Sequence, residues 1–170
     1  MSILIRTEEP KDQEAVYDLV EEAFDSELEA NLLRLFDANN SSAFSLVAEK
    51  SSQVVGQILL SKMTDDIESN LKIYALGPMA VDPDFQNSGI GTKLVNKAIE
   101  KAVKSGVDAI FVLGHDSYYP KFGFVSTAEY DIACEYDVPA EVFMVKDLTG
   151  QLSILKGETV RYANEFKEVF

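Results

Sequence analysis

Residues 71–113 read LKIYALGPMAVDPDFQNSGIGTKLVNKAIEKAVKSGVDAIFVL, and this stretch decides the fold. Leu71–Val81 is apolar enough for a long strand but is interrupted by Gly77-Pro78. Proline cannot donate to a central ladder, so a bulge or splay is predicted there. Asp82–Ser88 is a loop. Gly89–Ser105 carries Leu94, Val95, Ala98, Ile99, Ala102 and Val103 as one apolar stripe, and Gly106 suits a C-terminal cap. Ala109–Leu113 is an unbroken apolar run of the kind buried on both faces in a parallel pair. Strand, loop, helix and strand in this order predict a right-handed βαβ unit.

Working outward, Ile3–Ile5 is a short apolar run, and Thr7-Glu8-Glu9-Pro10 signals a helix start, with acids near the positive helix end. Ala15, Val16, Leu19, Val20, Ala23 and Phe24 recur at helical spacing; a second helix is predicted over Glu27–Ala38 and is broken by Asn39-Asn40-Ser41-Ser42. Phe44–Glu49 and Val54–Met63 read as a hairpin across Lys50–Gln53. Beyond Leu113 the pattern predicts an aromatic turn at Tyr118–Phe124, strands at Glu141–Leu148 and Leu152–Leu155, and a closing segment Gly157–Phe170.

At 170 residues the chain fits one domain, 1–170, and 46% hydrophobic residues suffice for a real core. The net charge of −14 argues against non-specific nucleic-acid or anionic-membrane binding, which need cationic patches, and mildly favours cationic partners. The one cysteine, Cys134, cannot form an internal disulfide, and with the one histidine, His115, it cannot make a structural zinc site, so no metal is expected. The opening MSILIRTEEP is too short in apolar residues for a signal peptide, and the longest apolar runs are strand-sized. Together these features predict a soluble, cytoplasmic protein.

The loop Gln86-Asn87-Ser88-Gly89-Ile90-Gly91-Thr92 lies between a strand and a helix start. Glycines there allow close backbone approach and expose free N–H groups, and the helix dipole behind them makes an anion site suited to a pyrophosphate. The third glycine of the dinucleotide fingerprint is missing, as is the nucleotide-triphosphate loop string. Asp82-Pro83-Asp84 fails as a calcium loop, because Asn87 and Lys93 stand where glycine and the bidentate acid are needed. An ordinary strand-to-helix turn remains the alternative for the loop by itself.

Leu76–Gly91 resembles the acyl-coenzyme A signature of the GNAT superfamily of N-acetyltransferases: an L-x-V strand end, then [QR]-x-x-G-x-[GA]. About thirty residues on, Tyr119-Pro120-Lys121-Phe122-Gly123-Phe124 resembles that family's Y-x-x-x-G-F element. The likeness is strongest over Leu71–Val125 and extends in pattern to the N-terminal strand and helices. Cys134–Pro139 with Phe143–Val145 resembles a bacterial branch of single-domain members.

The resemblance implies an α/β fold: a central mixed sheet flanked by helices, whose fourth and fifth strands, here Leu71–Val81 and Ala109–Leu113, splay apart. It implies acetyl-CoA as co-substrate, pantetheine along the Met79 and Val81 backbone, pyrophosphate on the N–H groups from Gln86 to Thr92, and an oxyanion donor near Ala80 or Val81. Tyr119 matches the family's general acid; its competing role is packing among Tyr118, Phe122 and Phe124. The acceptor implied is a small-molecule or peptide primary amine, acetylated directly, by a monomer or homodimer. The alternative is a non-catalytic acyl-CoA-binding sensor or partner module.

Some family members carry a glutamate just before L-x-V, where this chain has Tyr74–Pro78. A water relay or a remote carboxylate such as Glu49 or Glu68 stands as a substitute base, and the sequence leaves that choice open. His115 reads first as a hydrogen-bonded structural residue, Cys134 as a small buried hydrophobe, and Lys93, Lys97, Lys101 and Lys104 as a solvated helix face.

Overall fold

The computed structural model describes every residue except Met1 and Ser42. Ser42, the end of the predicted helix break, and Met1, the first residue of the opening segment, therefore lie outside the described residues. The chain forms two compact units. One comprises Met1–Leu60, Gly77–Ala98 and Asn164–Phe170; the other comprises Ser61–Leu76 and Ile99–Ala163.

In the first unit, strand β1 (Leu4–Thr7) pairs antiparallel with β2 (Ala43–Lys50) in register Leu4↔Glu49 to Thr7↔Leu46. β3 (Gln53–Lys62) follows β2, and the C-terminal part of β5 (Ile73–Val81) follows β3. Ser51 and Ser52 both have positive φ, which gives the hairpin turn the twist that adjacent strands need. Helix α1 (Gln13–Phe24) and helix α2 (Leu28–Asn39) bury Val16, Leu19, Val20, Leu32, Leu33 and Phe36; of the α1 residues that the spacing predicts, Val16, Leu19 and Val20 are buried, whereas Ala15 and Phe24 are exposed. The start of α3 (Ile90–Lys104) seats on β3 at Gly56, where an added Cβ would meet Leu94 Cδ1 at 3.0 Å and Ile90 Cγ2 at 3.1 Å. The bare backbone of Gly56 thus lets two large aliphatics pack directly on the strand, each contributing about 1.5–3 kcal/mol by burial. A short C-terminal helix, α4 (Asn164–Val169), docks through Phe166 on Phe36, centroids 5.9 Å apart, and through Glu165, whose carboxylate accepts from Asn39 and Ser41.

Arg6 on β1 ties this unit together. Its guanidinium holds Asp12 at 2.7 and 3.0 Å and Glu49 at 3.1 Å, and Asp12 also accepts from the Glu9 amide. Asp12 is 5% exposed, and the Arg6 hydrogen bonds hold its carboxyl below the usual range. Asp12→Asn is expected to lower stability at neutral pH by about 1–3 kcal/mol, because the guanidinium loses a charged partner. A depressed native pKa stabilises above the unfolded value of about 3.9 and fades as pH falls through the native one. In urea melts the gap between wild type and variant therefore narrows below about pH 4; a gap that widens there would be inconsistent with the pair.

In the second unit, Ile73–Leu76 of β5 runs parallel to β6 (Ala109–Leu113), in register Ile73↔Ala109 to Leu76↔Val112. β6 pairs antiparallel with β9 (Phe143–Asp147), and β9 with β7 (Val125–Ser126). Phe111 and Phe143 stack at 5.5 Å between β6 and β9. A second, three-stranded sheet sets β10 (Thr159–Arg161) between β4 (Thr64–Asp65) and β8 (Ala133–Cys134). Asp108 pins the start of the parallel pair by accepting from the Lys72 amide and the Thr149 hydroxyl, both at 2.8 Å.

The mixed α/β fold is the one predicted, with four differences in detail. The two-residue β4 makes the predicted fourth and fifth strands β5 and β6. The pairing of β5 with β6 ends at Leu76, and Gly77 follows at φ +125°, so the predicted irregularity is a change of backbone inside a strand assigned through to Val81. Leu152–Leu155 is a 3-10 turn, not a strand: Leu152 and Leu155 are buried while Ile154 is 50% exposed, a period of three rather than two. Val103 is 56% exposed, because nine residues of helix rotate it half a turn from Leu94.

Candidate active site

The residues predicted to hold the acyl carrier lie in the first unit, and Tyr119 lies in the second. Of the strand-end residues, Ala80 is buried and Met79 and Val81 are half-buried. Two backbone carbonyls of this strand end are engaged by glutamine side chains: Gln57 Nε2 donates to Pro78 O, and Gln86 Nε2 donates to Val81 O, each at 3.1 Å. The Asp82 amide donates to Val55 O at 2.8 Å, tying the strand end to β3.

The loop after the strand is built by short side-chain caps. Asp82 Oδ1 accepts from the Asp84 amide at 2.9 Å, Pro83–Phe85 form one 3-10 turn, and the Ser88 hydroxyl donates to Phe85 O. Asn87 at φ +63° and Gly89 at φ +87° then reverse the chain into α3. Gln86, Asn87, Ser88 and Gly89 are exposed, Gly91 and Thr92 half-buried, and Ile90 buried as the anchor on Gly56. The amides of Ile90, Gly91 and Thr92 occupy the first turn, where a helix offers no carbonyl. The Lys93 amide bonds back to Gly89 O at 3.1 Å. A Cβ added at Gly89 would meet nothing within 4 Å, so the space before these amides is open.

Tyr119 begins the 3-10 turn Tyr119–Phe122, which Gly123 ends at φ +92°. Its ring is 8% exposed and lies edge-on to Tyr118 at 5.1 Å and Phe124 at 5.7 Å. Burial in these rings, with a smaller effect of Tyr118, pushes its phenol up to about 12. The hydroxyl therefore keeps its proton across the physiological range, as a donor must.

Other candidates fall elsewhere. His115 is exposed, and its backbone carbonyl accepts from the Tyr118 and Tyr119 amides. Cys134 is half-buried, and burial raises its thiol above the ordinary value, against nucleophilic use. Glu49 is paired with Arg6, and Glu68 is exposed. Among the described residues no group of His, Cys, Asp or Glu could hold a metal ion, and no helix is long and apolar enough to cross a membrane.

Two residues escaped the sequence. Gln57 is fully buried within the apolar β3, and its Oε1 has no partner among the described residues; a polar residue inside the run Val54–Leu60 was the available signal. Gly114 abuts the Tyr119 ring, and no local pattern marks it. A cavity of about 810 Å³ in the first unit is lined by Asp12, Asp18, Glu22, Glu49 and Asp82 among others. Another of about 560 Å³ in the second unit borders Cys134 and Tyr136. Neither is lined by Tyr119 or by Gln86–Thr92.

Comparison with known proteins gives these features a context. The profile of the Acetyltransferase (GNAT) family matches residues 13–124. The uncharacterized N-acetyltransferase YjhQ of Escherichia coli K12 is 34% identical over 139 residues, covering 78% of this chain and 75% of its own. The uncharacterized N-acetyltransferase YhbS of the same strain is 29% identical over 168 residues, covering 96% and 98%. The crystal structure of Escherichia coli YhbS in complex with CoA superposes with a TM-score of 0.90 at 27% identity, covering 97% of this chain and 92% of that one. A Brucella melitensis GNAT acetyltransferase in complex with acetyl-CoA gives 0.78 at 26% identity, covering 97% and 98%. A strand–loop–helix with open amides and a buried, protonated tyrosine thus occur in a chain matched over most of its length, and the protein belongs to the GNAT family of N-acetyltransferases.

Proposed function

We propose that the whole chain works as one transferase domain that moves the acetyl group of acetyl-CoA directly to a primary amine. The observation that carries this is the head of α3: the first-turn amides of Ile90, Gly91 and Thr92 behind the exposed loop Gln86–Gly89, with Gly89 at φ +87° and nothing within 4 Å of a Cβ added there. Backbone donors at a helix start, with the helix dipole behind them, suit a pyrophosphate. Acetyl-CoA supplies the thioester. In this reading the backbone at Met79 and Val81 aligns the pantetheine amides, and an amide near Ala80 or Val81 faces the oxygen that gains charge, a contact worth about 3 kcal/mol. Tyr119 gives its proton to the departing thiolate, and the proton that the amine sheds as the C–N bond forms and the C–S bond breaks passes to water, from which the phenol is restored.

The acceptor in this reading is cationic. A net charge of −14 raises the local concentration of cations, and the cavity in which Asp12, Asp18, Glu22, Glu49 and Asp82 outnumber Arg6 and Lys11 keeps a net acidic lining. Titration calorimetry is expected to give an acetyl-CoA Kd on the order of micromolar. Thiol release should then be faster with a polyamine, an aminoglycoside-like amine or a lysine peptide than with an anionic amine, and the preference should shrink as salt rises. Equal rates with anionic amines would remove the cationic acceptor; absence of binding by folded protein would remove the acetyl-CoA reading as well.

A further inference from the structure

We propose that Gly114 is a positioning residue for Tyr119: its missing side chain lets the ring edge come up against the backbone, and so sets the place of the hydroxyl. This rests on Tyr119 being the proton donor proposed above. A Cβ at Gly114 would lie 2.3 Å from Tyr119 Cε2, 2.7 Å from Cδ2 and 3.4 Å from Cζ, so the Cδ2–Cε2 edge of the ring abuts the bare backbone. Gly114 is not among the glycines of positive φ. Gly77 and Gly89 show the opposite pattern, positive φ with nothing within 4 Å of an added Cβ. Backbone conformation explains those two glycines; at Gly114 the Tyr119 ring is the explanation.

Neither partner can yield easily. The Gly114 amide donates to Val142 O at 2.9 Å, just past the Leu113↔Phe143 pair, which fixes its backbone to the β9 side. The Tyr118 and Tyr119 amides both donate to His115 O, at 3.1 and 3.3 Å, so the turn that brings the ring back over Gly114 is short and bonded. On its other sides the ring meets Tyr118 at 5.1 Å, Phe124 at 5.7 Å and Phe122 at 6.4 Å. Carbon atoms settle at about 3.5–4.0 Å, so a methyl at position 114 must move the ring by about 1 Å. A displacement of that size costs as much as about 100-fold in rate when the moved group is a proton donor.

The test is a double-mutant cycle of Gly114→Ala with Tyr119→Phe, measuring kcat, acetyl-CoA Kd and melting temperature. Gly114→Ala is expected to lower kcat by about 10- to 100-fold with Kd unchanged, and to lower it by less than about twofold more in the Tyr119→Phe background. That non-additivity separates positioning from general damage, because Phe keeps the ring and the clash and lacks only the hydroxyl. Equal losses in both backgrounds, or a Gly114→Ala enzyme with full kcat beside an impaired Tyr119→Phe, would overturn the positioning role. A Tyr119→Phe enzyme with full kcat would instead remove the proton-donor reading, and the positioning role with it. Should Gly114→Ala not fold, NMR of the wild type decides: strong cross-relaxation from the Gly114 α-protons to the Tyr119 ring edge is expected, and its absence would overturn the proposal.

Discussion

Tyr119→Phe is expected to lower kcat by about 10- to 1,000-fold while the acetyl-CoA Kd changes by less than about twofold. The substitution deletes one oxygen and keeps the ring, so its edge-on contacts with Tyr118 and Phe124 and its place on Gly114 persist. The residues proposed to hold the carrier, Gln86–Thr92, belong to the other unit of the chain. Binding and chemistry should therefore separate cleanly. An ordinary phenol near 10 would match an alkyl thiolate closely. Burial pushes Tyr119 to about 12, which makes it a weaker acid. Desolvation raises the conjugate acid of any thiolate that leaves away from water as well, which narrows the mismatch. The sign of the pH dependence follows. Burial favours the neutral phenol, which is the donor form, so kcat/KM should rise with pH as the amine loses its proton and show no alkaline fall below about pH 11. An alkaline fall near pH 9 that vanishes in Tyr119→Phe would mean the phenol is not held by burial, and unchanged turnover in the variant would remove Tyr119 from the chemistry.

Much of this is legible in the sequence, for reasons that differ by residue. The stretch from Leu71 to Leu113 declares itself because period, length and cap agree: a buried parallel strand needs an unbroken apolar run, and α3 needs its stripe and its Gly106 terminus. Gly77-Pro78 marked the change in β5 because proline has no amide to give a ladder. The two-residue strands β4, β7 and β8 were invisible, since a strand that short has no period. The 3-10 turn at Leu152–Leu155 was mistaken for a strand because four residues fit periods of two and three about equally well. Gln57 and Gly114 were missed for a deeper reason. Their roles lie in what they touch, the Pro78 carbonyl and the Tyr119 ring: a polar Gln57 inside an apolar run hints at a partner without identifying it, and Gly114 carries no local mark. The anion site proposed at Gln86–Thr92 can be read from sequence, because backbone donors at a helix start depend on glycine and sequence position more than on side-chain contacts.

Gly89→Glu is expected to weaken acetyl-CoA binding by about 100-fold or more while the protein stays folded. The two effects of the substitution oppose each other in the free protein. A side chain at φ +87° is strained by about 1–2 kcal/mol, yet a carboxylate at the head of α3 interacts favourably with the helix dipole, by about 0.3–1 kcal/mol. Nothing lies within 4 Å of the added Cβ, so no packing clash adds to the strain, and the melting temperature should move little. In the complex the balance reverses. The carboxylate would stand where the pyrophosphate must approach, and like charges about 4 Å apart at an effective dielectric constant near 20 repel by about 4 kcal/mol before screening by salt. Gly89→Ala isolates the strain, because it adds the Cβ without the charge; its Kd should weaken by less than about fivefold. Calorimetry on the three proteins gives an ordering of wild type, alanine and glutamate that only an anion seated on these amides produces. Equal binding by wild type and Gly89→Glu would place the phosphates elsewhere and leave the open amides of α3 as an ordinary helix start.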